Sequence, residues 1–201
     1  MSKYNFISDL CGNYPVSGIR AMFDLAAGYP GAINLCNGEP NFETPKHIVE
    51  SAVTALREGR TKYGTEPGLP AMRQAVANKY IAQFGREYDI DNVMVTLGGV
   101  EGIFMSLSAI LNPGDEVIIP DPAYTCYEGQ VLLLGGKPVR VPLYEEHGFR
   151  LQPEDLEAAI TPKTKALIVT YPSNPLGAVL DRAAGEALAK VIARHPIMVL
   201  S

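Results

Sequence analysis

Three short stretches hold the groups best suited to chemistry, and each follows an apolar run of strand character. In Thr96-Leu-Gly-Gly-Val-Glu-Gly102 two adjacent glycines join such a run to a helix-forming segment. The N–H groups exposed at a helix start, with the helix dipole behind them, suit a phosphate. Gly98 and Gly99 would let that phosphate approach the backbone closely. Judged alone, the simpler description is a tight strand–helix turn, and the spacing does not match the Gly-x-Gly-x-x-Gly of dinucleotide sites. In Asp121-Pro-Ala-Tyr-Thr-Cys-Tyr127, Tyr124 could lay its ring on a planar heterocycle, contributing on the order of 1 kcal/mol beyond area burial. Judged alone, it is more simply a core or rim tyrosine. In Lys165-Ala-Leu-Ile-Val-Thr-Tyr-Pro-Ser-Asn-Pro-Leu-Gly177, a predicted strand runs into a turn carrying Asn174-Pro175 and Gly177. Proline fixes its own φ and biases the residue before it toward extended backbone. One rigid amide is thereby held at the C-terminal end of a strand, where open α/β sheets bind ligands. An Asn-Pro turn is common by itself. Together the three strand ends offer a phosphate cradle, an aromatic platform and an amide, the inventory that holds a phosphorylated aromatic cofactor.

The elements that must position these groups follow from periodicity. Residues 1–45 are irregular and rich in turn formers, such as Gly12-Asn13-Tyr14-Pro15, with one short helix over 19–27. An amphipathic helix is predicted over 46–58, with Val49, Ala52, Val53 and Leu56 on one face. After a loop holding Tyr63-Gly64 and Pro67-Gly68, a second helix carries Met72, Ala75, Val76, Tyr80 and Phe84 at helical spacing. From residue 92 strands and helices alternate. Strands are expected at 93–96, 116–120, 138–143, 166–170 and 197–200. Helices are expected at 100–111, up to about 134, at 153–160 with Pro153 in its first turn, and at 182–194. Such alternation predicts a mostly parallel sheet with helices on both faces. An end inside an apolar strand is abnormal for a complete domain, so the next sheet element is expected beyond residue 201.

Composition bounds the function. A 201-residue chain with 47% hydrophobic and 19% charged residues can bury an ample core. A net charge of −5, a pI near 5.2 and the lack of a Lys/Arg cluster argue against a nucleic-acid partner. No apolar run approaches the span of a bilayer, and the first residues lack the pattern of a signal peptide; no membrane partner and a cytoplasmic location are expected. Cys11, Cys36 and Cys126 are odd in number and widely spaced, which disfavours a disulfide framework or redox pair. His47, His147 and His195 are equally scattered, so no metal site is expected.

Taken in order, the motifs are highly specific. They are Ser17-Gly-Ile-Arg20, Ile33-Asn-Leu-Cys-Asn-Gly-Glu-Pro-Asn-Phe-Glu-Thr-Pro45, Lys62-Tyr-Gly64, Gly68-Leu-Pro-Ala-Met-Arg73, Thr96-Leu-Gly-Gly99, Asn112-Pro-Gly-Asp-Glu-Val117 and Asn174-Pro175. Over nearly its whole length the chain resembles the pyridoxal-phosphate-dependent aminotransferases of fold type I, class I/II, of the aspartate, aromatic and kynurenine type. The resemblance implies an α/β three-layer sandwich with a mostly parallel sheet, the family's large cofactor-binding domain, over 46–201 and incomplete at its C-terminus. An N-terminal arm and small-domain segment would cover 1–45. It implies transamination between an L-amino acid and a 2-oxo acid in the full-length protein, with pyridoxal 5′-phosphate as cofactor. Gly98, Gly99 and Val100 would contact the cofactor phosphate through their backbone. Tyr124 would stack on the pyridine ring, and Asn174 would hydrogen-bond the 3′-oxygen. Tyr63 would reach the phosphate of a neighbouring subunit, implying a homodimer with shared sites. Ile19 and Gly38 would lie beside the substrate.

The chain departs from the family pattern in places. Leu176 stands where a small hydroxyl residue is usual, in a turn that works through its backbone. Asn41 replaces a frequent Asp. Val100 has no polar side chain and offers the phosphate its N–H alone. In the family, the strand that starts here at Ile197 leads to an Asp that pairs with the ring nitrogen, and later to a Tyr, the Schiff-base Lys and a carboxylate-binding Arg. These are expected beyond Ser201, so the chain as given is expected to lack catalytic residues. Lys165 precedes a strand on the opposite side of the sheet and is no substitute. A carbon–sulfur β-lyase on the same fold is an alternative, since the motifs serve the cofactor more than the substrate. A non-catalytic fragment, poorly soluble through exposed strand edges, is another. A cofactor-sensing transcriptional regulator would need a helix-turn-helix domain, and none precedes residue 1.

Overall fold

The computed structural model describes residues 6–12, 14, 18–33, 35, 38 and 40–201, with the side chains of 19, 20 and 23 left aside. The chain divides into two compact units: Met1–Gly18 with Ile103–Ser201, and Ile19–Gly102.

The first unit is built on four parallel strands: β1 (Glu116–Asp121), β2 (Lys137–Pro142), β3 (Thr164–Ile168) and β4 (Met198–Leu200), in the order β2-β1-β3-β4. Its helices are α1 (Asp9–Gly12), most of α5 (Gly98–Ile110), α6 (Cys126–Leu133), α7 (Pro153–Ala159) and α8 (Arg182–Ile192). Strand β1 is buried from Glu116 to Pro120, as a central strand covered on both faces must be. Its alternate side chains divide between two cores. Val117 and Ile119, with Ala166 and Ile168 of β3, pack with Leu107 of α5 and Tyr127 and Val131 of α6. Ile118 and Leu167 point the other way and meet Leu156 of α7 and Leu188 and Val191 of α8. These are the three layers expected of the fold class. Helix α8 starts where the Asp181 carboxylate accepts the Ala184 N–H at 2.8 Å, an N-cap that satisfies one of the helix's unpaired donors. Helix α7 opens on Pro153, which has no N–H to lose.

At the other end of the sheet Glu116 is buried, its side chain 7% exposed, and accepts from Lys137 Nζ at 3.0 Å. It also accepts from Thr161 Oγ1 at 2.6 Å. The Thr161 hydrogen bond, then that of Lys137, holds its carboxyl below the ordinary 4.5 against the opposing pull of burial; the charges of Lys137 and Lys163 add to the effect. A folded-state pKa below the unfolded one contributes stability above the unfolded value, and that stability is lost as pH falls through the folded value. We therefore expect denaturation midpoints to fall more steeply below pH 4.5 in the wild type than in Glu116→Gln. Parallel stability–pH curves would show that the network contributes nothing.

The second unit contains α2 (Gly18–Ala27), α3 (Lys46–Arg57), α4 (Pro70–Phe84) and a 3-10 turn over Ile90–Asn92. Helix α4 opens on a proline and stops at Gly85 in left-handed conformation. Residues 93–96 correct the sequence reading. They form no strand, because their hydrogen bonds go elsewhere: Val95 donates to the Pro67 carbonyl at 2.9 Å, and Val93 accepts from Arg73 Nε at 2.8 Å. A Cβ on Gly68, at φ +103°, would lie 2.6 Å from Val95 Cγ2, so this close approach requires glycine.

Candidate cofactor site

The order β2-β1-β3 creates a switch point. The chain leaves β1 through α6 on one face of the sheet, and leaves β3 through α8 on the other. Between such diverging connections, beyond the C-terminal strand ends, open α/β sheets leave a crevice for ligands. A cleft lies there, lined among others by Pro122, Ala123, Tyr127, Thr170, Tyr171 and Asn174. Tyr124 and Asn174 therefore follow adjacent strands, one on each side of the switch point.

Tyr124 is half-buried and meets the buried Tyr127 edge-on, with ring centroids 5.5 Å apart and planes at 79°. This is a favoured aromatic geometry. Its phenol is pushed above the ordinary 10.0, first by a hydrogen bond with Cys126, then by burial and by neighbouring Cys126, Tyr127 and Tyr14. The ring therefore stays neutral across the physiological range. Asn174 stands exposed in a turn closed by Gly177 N–H to Ser173 O at 2.8 Å and by Ser173 N–H to Ala178 O at 2.8 Å. Ser173 Oγ accepts the Ala178 N–H at 3.1 Å. The Asn174–Pro175 bond is cis. Strand β3 ends at Ile168, two residues earlier than its apolar run suggested, and the remaining residues form the cleft wall.

In the second unit, Gly98 and Gly99 are the first turn of α5 rather than a turn before it. Gly98 has φ +80°, and a Cβ on either glycine would meet nothing within 4 Å. The backbone there has an open face, and the Gly98 N–H donates to the Thr96 carbonyl at 2.9 Å. Thr96 Oγ1 donates to the Gly98 carbonyl at 3.0 Å. The Glu101 carboxylate accepts the Leu97 N–H just outside the helix, placing one negative charge against the positive helix end. Val100 is 45% exposed.

Tyr63 is fully exposed at 106% and lies in the second unit with Gly38, which is also exposed. Ile19 belongs to α2, and its side chain lies outside the described residues. Among the described residues no three His, Cys, Asp or Glu side chains could hold a metal, and no helix is long and apolar enough to cross a membrane. Sequence reasoning missed Tyr127 and Thr170, whose hydroxyls lie 2.8 Å apart. The signal for Tyr127 was its place three residues after Tyr124, in the first turn of a helix; for Thr170 there was none.

Taken part by part, the donors fit pyridoxal phosphate. A glycine-lined helix start suits its dianion, a neutral tyrosine ring suits its heterocycle, and a side-chain amide suits its ring oxygen.

The Aminotransferase class I and II family profile matches residues 30–201; the chain belongs to this family. It is 46% identical over 186 residues to the aspartate aminotransferase of Pyrococcus abyssi, covering 92% of this chain and 48% of that protein. It is 45% identical over 186 residues to aromatic-amino-acid aminotransferase 2 of Thermococcus litoralis, with the same coverage of 92% and 48%. The solved aspartate aminotransferase of Rhizobium meliloti superposes with a TM-score of 0.92 at 37% identity, over 98% of this chain and 50% of that one. The chain spans about half the length of the curated relatives it matches.

Proposed function

We propose that the chain supplies the N-terminal part of a pyridoxal-phosphate-dependent aminotransferase, which moves an amino group between an L-amino acid and a 2-oxo acid. The observation that carries this reading is the switch point between β1 and β3, with Asn174 in the cleft wall on one side and Tyr124 next to the cleft-lining Ala123 on the other. Bound pyridoxal phosphate would supply an electron sink for the pair released at the substrate's α-carbon. The chain's own residues hold and orient it. The backbone of Gly98, Gly99 and Val100 contacts the phosphate, Tyr124 stacks on one ring face, and the Asn174 amide donates to the 3′-oxygen and fixes the ring's rotation. Ile19 and Gly38 border the substrate. A second copy of the chain brings Tyr63 to the phosphate, and the full exposure of that side chain supports such a reach. Aspartate and aromatic amino acids are the first donors to assay, because the relatives are named for them.

The test uses pyridoxine 5′-phosphate, whose alcohol cannot react with lysines as an aldehyde would. Calorimetric titration of the 201-residue chain is expected to show binding that Asn174→Ala weakens about tenfold, the loss of one hydrogen bond in a partly desolvated site. Equal affinities in the two proteins would refute the role of Asn174. Absence of binding in the wild type would refute the cofactor reading itself.

A further inference from the structure

We infer that Tyr127 is a positioning residue, a strut that ties the two sides of the cofactor cleft together so that the ring platform and the amide keep one spacing. This rests on the reading of the cleft as a cofactor site.

Tyr127 is 8% exposed and belongs to the core cluster of Val117, Ile119, Ala166 and Ile168, so its ring cannot swing out without opening the sheet's packing. One edge of its contacts faces the β1 side, where the Tyr124 ring meets it at 5.5 Å and 79°. Its hydroxyl faces the β3 side and lies 2.8 Å from Thr170 Oγ1. Thr170 is two residues beyond β3 and four before Asn174, in the segment that forms the cleft wall. The parallel ladder of β1 and β3 is recorded at Glu116↔Thr164, Val117↔Ala166 and Ile118↔Leu167 and at no later pair. Past the ladder the two strand ends have no backbone pairing to fix their separation. The Tyr127–Thr170 hydrogen bond bridges them there, at half-buried depth where it is shielded from competing water. A platform and an amide that hold one planar ligand from different directions gain affinity from being set in advance. Tyr127 lines the cleft, and its part in that setting is to hold the Tyr124 ring on one side and Thr170 on the other.

Tyr127→Phe removes the hydroxyl and keeps the ring contact; Thr170→Val removes the partner and keeps its shape. Hydrogen–deuterium exchange on the ligand-free chain reads the coupling directly. Peptides covering 121–125 and 169–178 are expected to exchange faster in both variants, with the rest of the sheet unchanged. Pyridoxine 5′-phosphate affinity is expected to fall about three- to tenfold in each, and no further in the double variant, because both remove one interaction. Affinity for inorganic phosphate, which does not engage the ring walls, is expected to stay constant. A merely structural role would instead raise exchange across the sheet and leave the two ligands equally affected. Unchanged exchange in the two segments, with pyridoxine 5′-phosphate binding intact, overturns the inference and leaves the cofactor reading standing. A wild-type chain that does not bind this ligand overturns the cofactor reading, while faster exchange in both segments of the variants still supports the strut.

Discussion

Leu107→Ala is expected to destabilise the sheet-bearing unit by about 3–5 kcal/mol, the range for a leucine removed from a site that cannot collapse. Leu107 lies on α5 with no exposed surface and packs in the cluster formed by Val117, Ile119, Val131, Ala166 and Ile168. Its neighbours are two paired strands and a second helix, all fixed by other contacts, so the volume left by three carbon atoms cannot be filled by small shifts. Helix α5 has no other fully buried side chain. Guanidinium denaturation is the measurement; a loss under about 1 kcal/mol would mean that α5 repacks easily and is not held by this residue. The result bears on function, because the phosphate-binding turn proposed at Gly98 to Val100 begins the same helix. A loosened α5 should lower affinity for inorganic phosphate alongside stability.

Arg73→Met is the second large effect, about 2–4 kcal/mol in the stability of the other unit. Methionine keeps much of the stem of Arg73, which is 8% exposed, so the loss isolates the guanidinium. That group donates to the Val93 carbonyl at 2.8 Å and to the Ile90 carbonyl at 2.7 Å; its removal costs both bonds at partial burial, with the Ile90 carbonyl keeping the Val93 N–H at 3.1 Å. It also pairs with Asp91 at 3.0 Å, but the Asp91 side chain is 87% exposed, and such pairs contribute little. Asp91→Asn should therefore shift the unfolding midpoint hardly at all, while Arg73→Met shifts it strongly. Comparable losses from the two substitutions would assign the effect to the ion pair and contradict this account. The carbonyls matter because Val93, itself extended, begins the run that delivers the chain to Gly98. In the absence of a strand partner, Arg73 and the Val95–Pro67 hydrogen bond fix it.

That arrangement also explains where sequence reasoning stopped. From Glu116 onward β1, β3 and β4 carry apolar runs, β2 alternates Val139 and Val141 with Arg140, and each helix has a recognisable start or stop, so the parallel sheet and its layers could be read directly. Val93 to Thr96 has the same β-branched character, yet composition says only that a segment prefers extended backbone and nothing of what it pairs with. Two adjacent glycines read as a turn, but Gly98 supplies a positive φ at the first residue of a helix. At the site, Tyr124 and Asn174 were legible because each follows a strand and so must emerge at one edge of a parallel sheet. The Tyr127–Thr170 bridge was not, because it joins residues 43 positions apart in two different stretches, and neither stretch points to the other. Arg73 stood in a quoted motif without a role, since its partners are backbone carbonyls, which no side-chain pattern announces.

The strand order has a consequence in time as well as in space. Strand β1 takes its two neighbours from distant parts of the chain, pairing Glu116 with Lys137 on one side and with Thr164 on the other. Among the described residues no hairpin offers a local nucleus, so each ladder closes only after a whole crossover with its helix has been traversed, and such topologies fold slowly. During synthesis β1 leaves the ribosome well before β3 exists. For that interval a strand destined to be buried from Glu116 to Pro120 presents an open edge and a bare face, the moment at which a nascent chain is most in need of a chaperone.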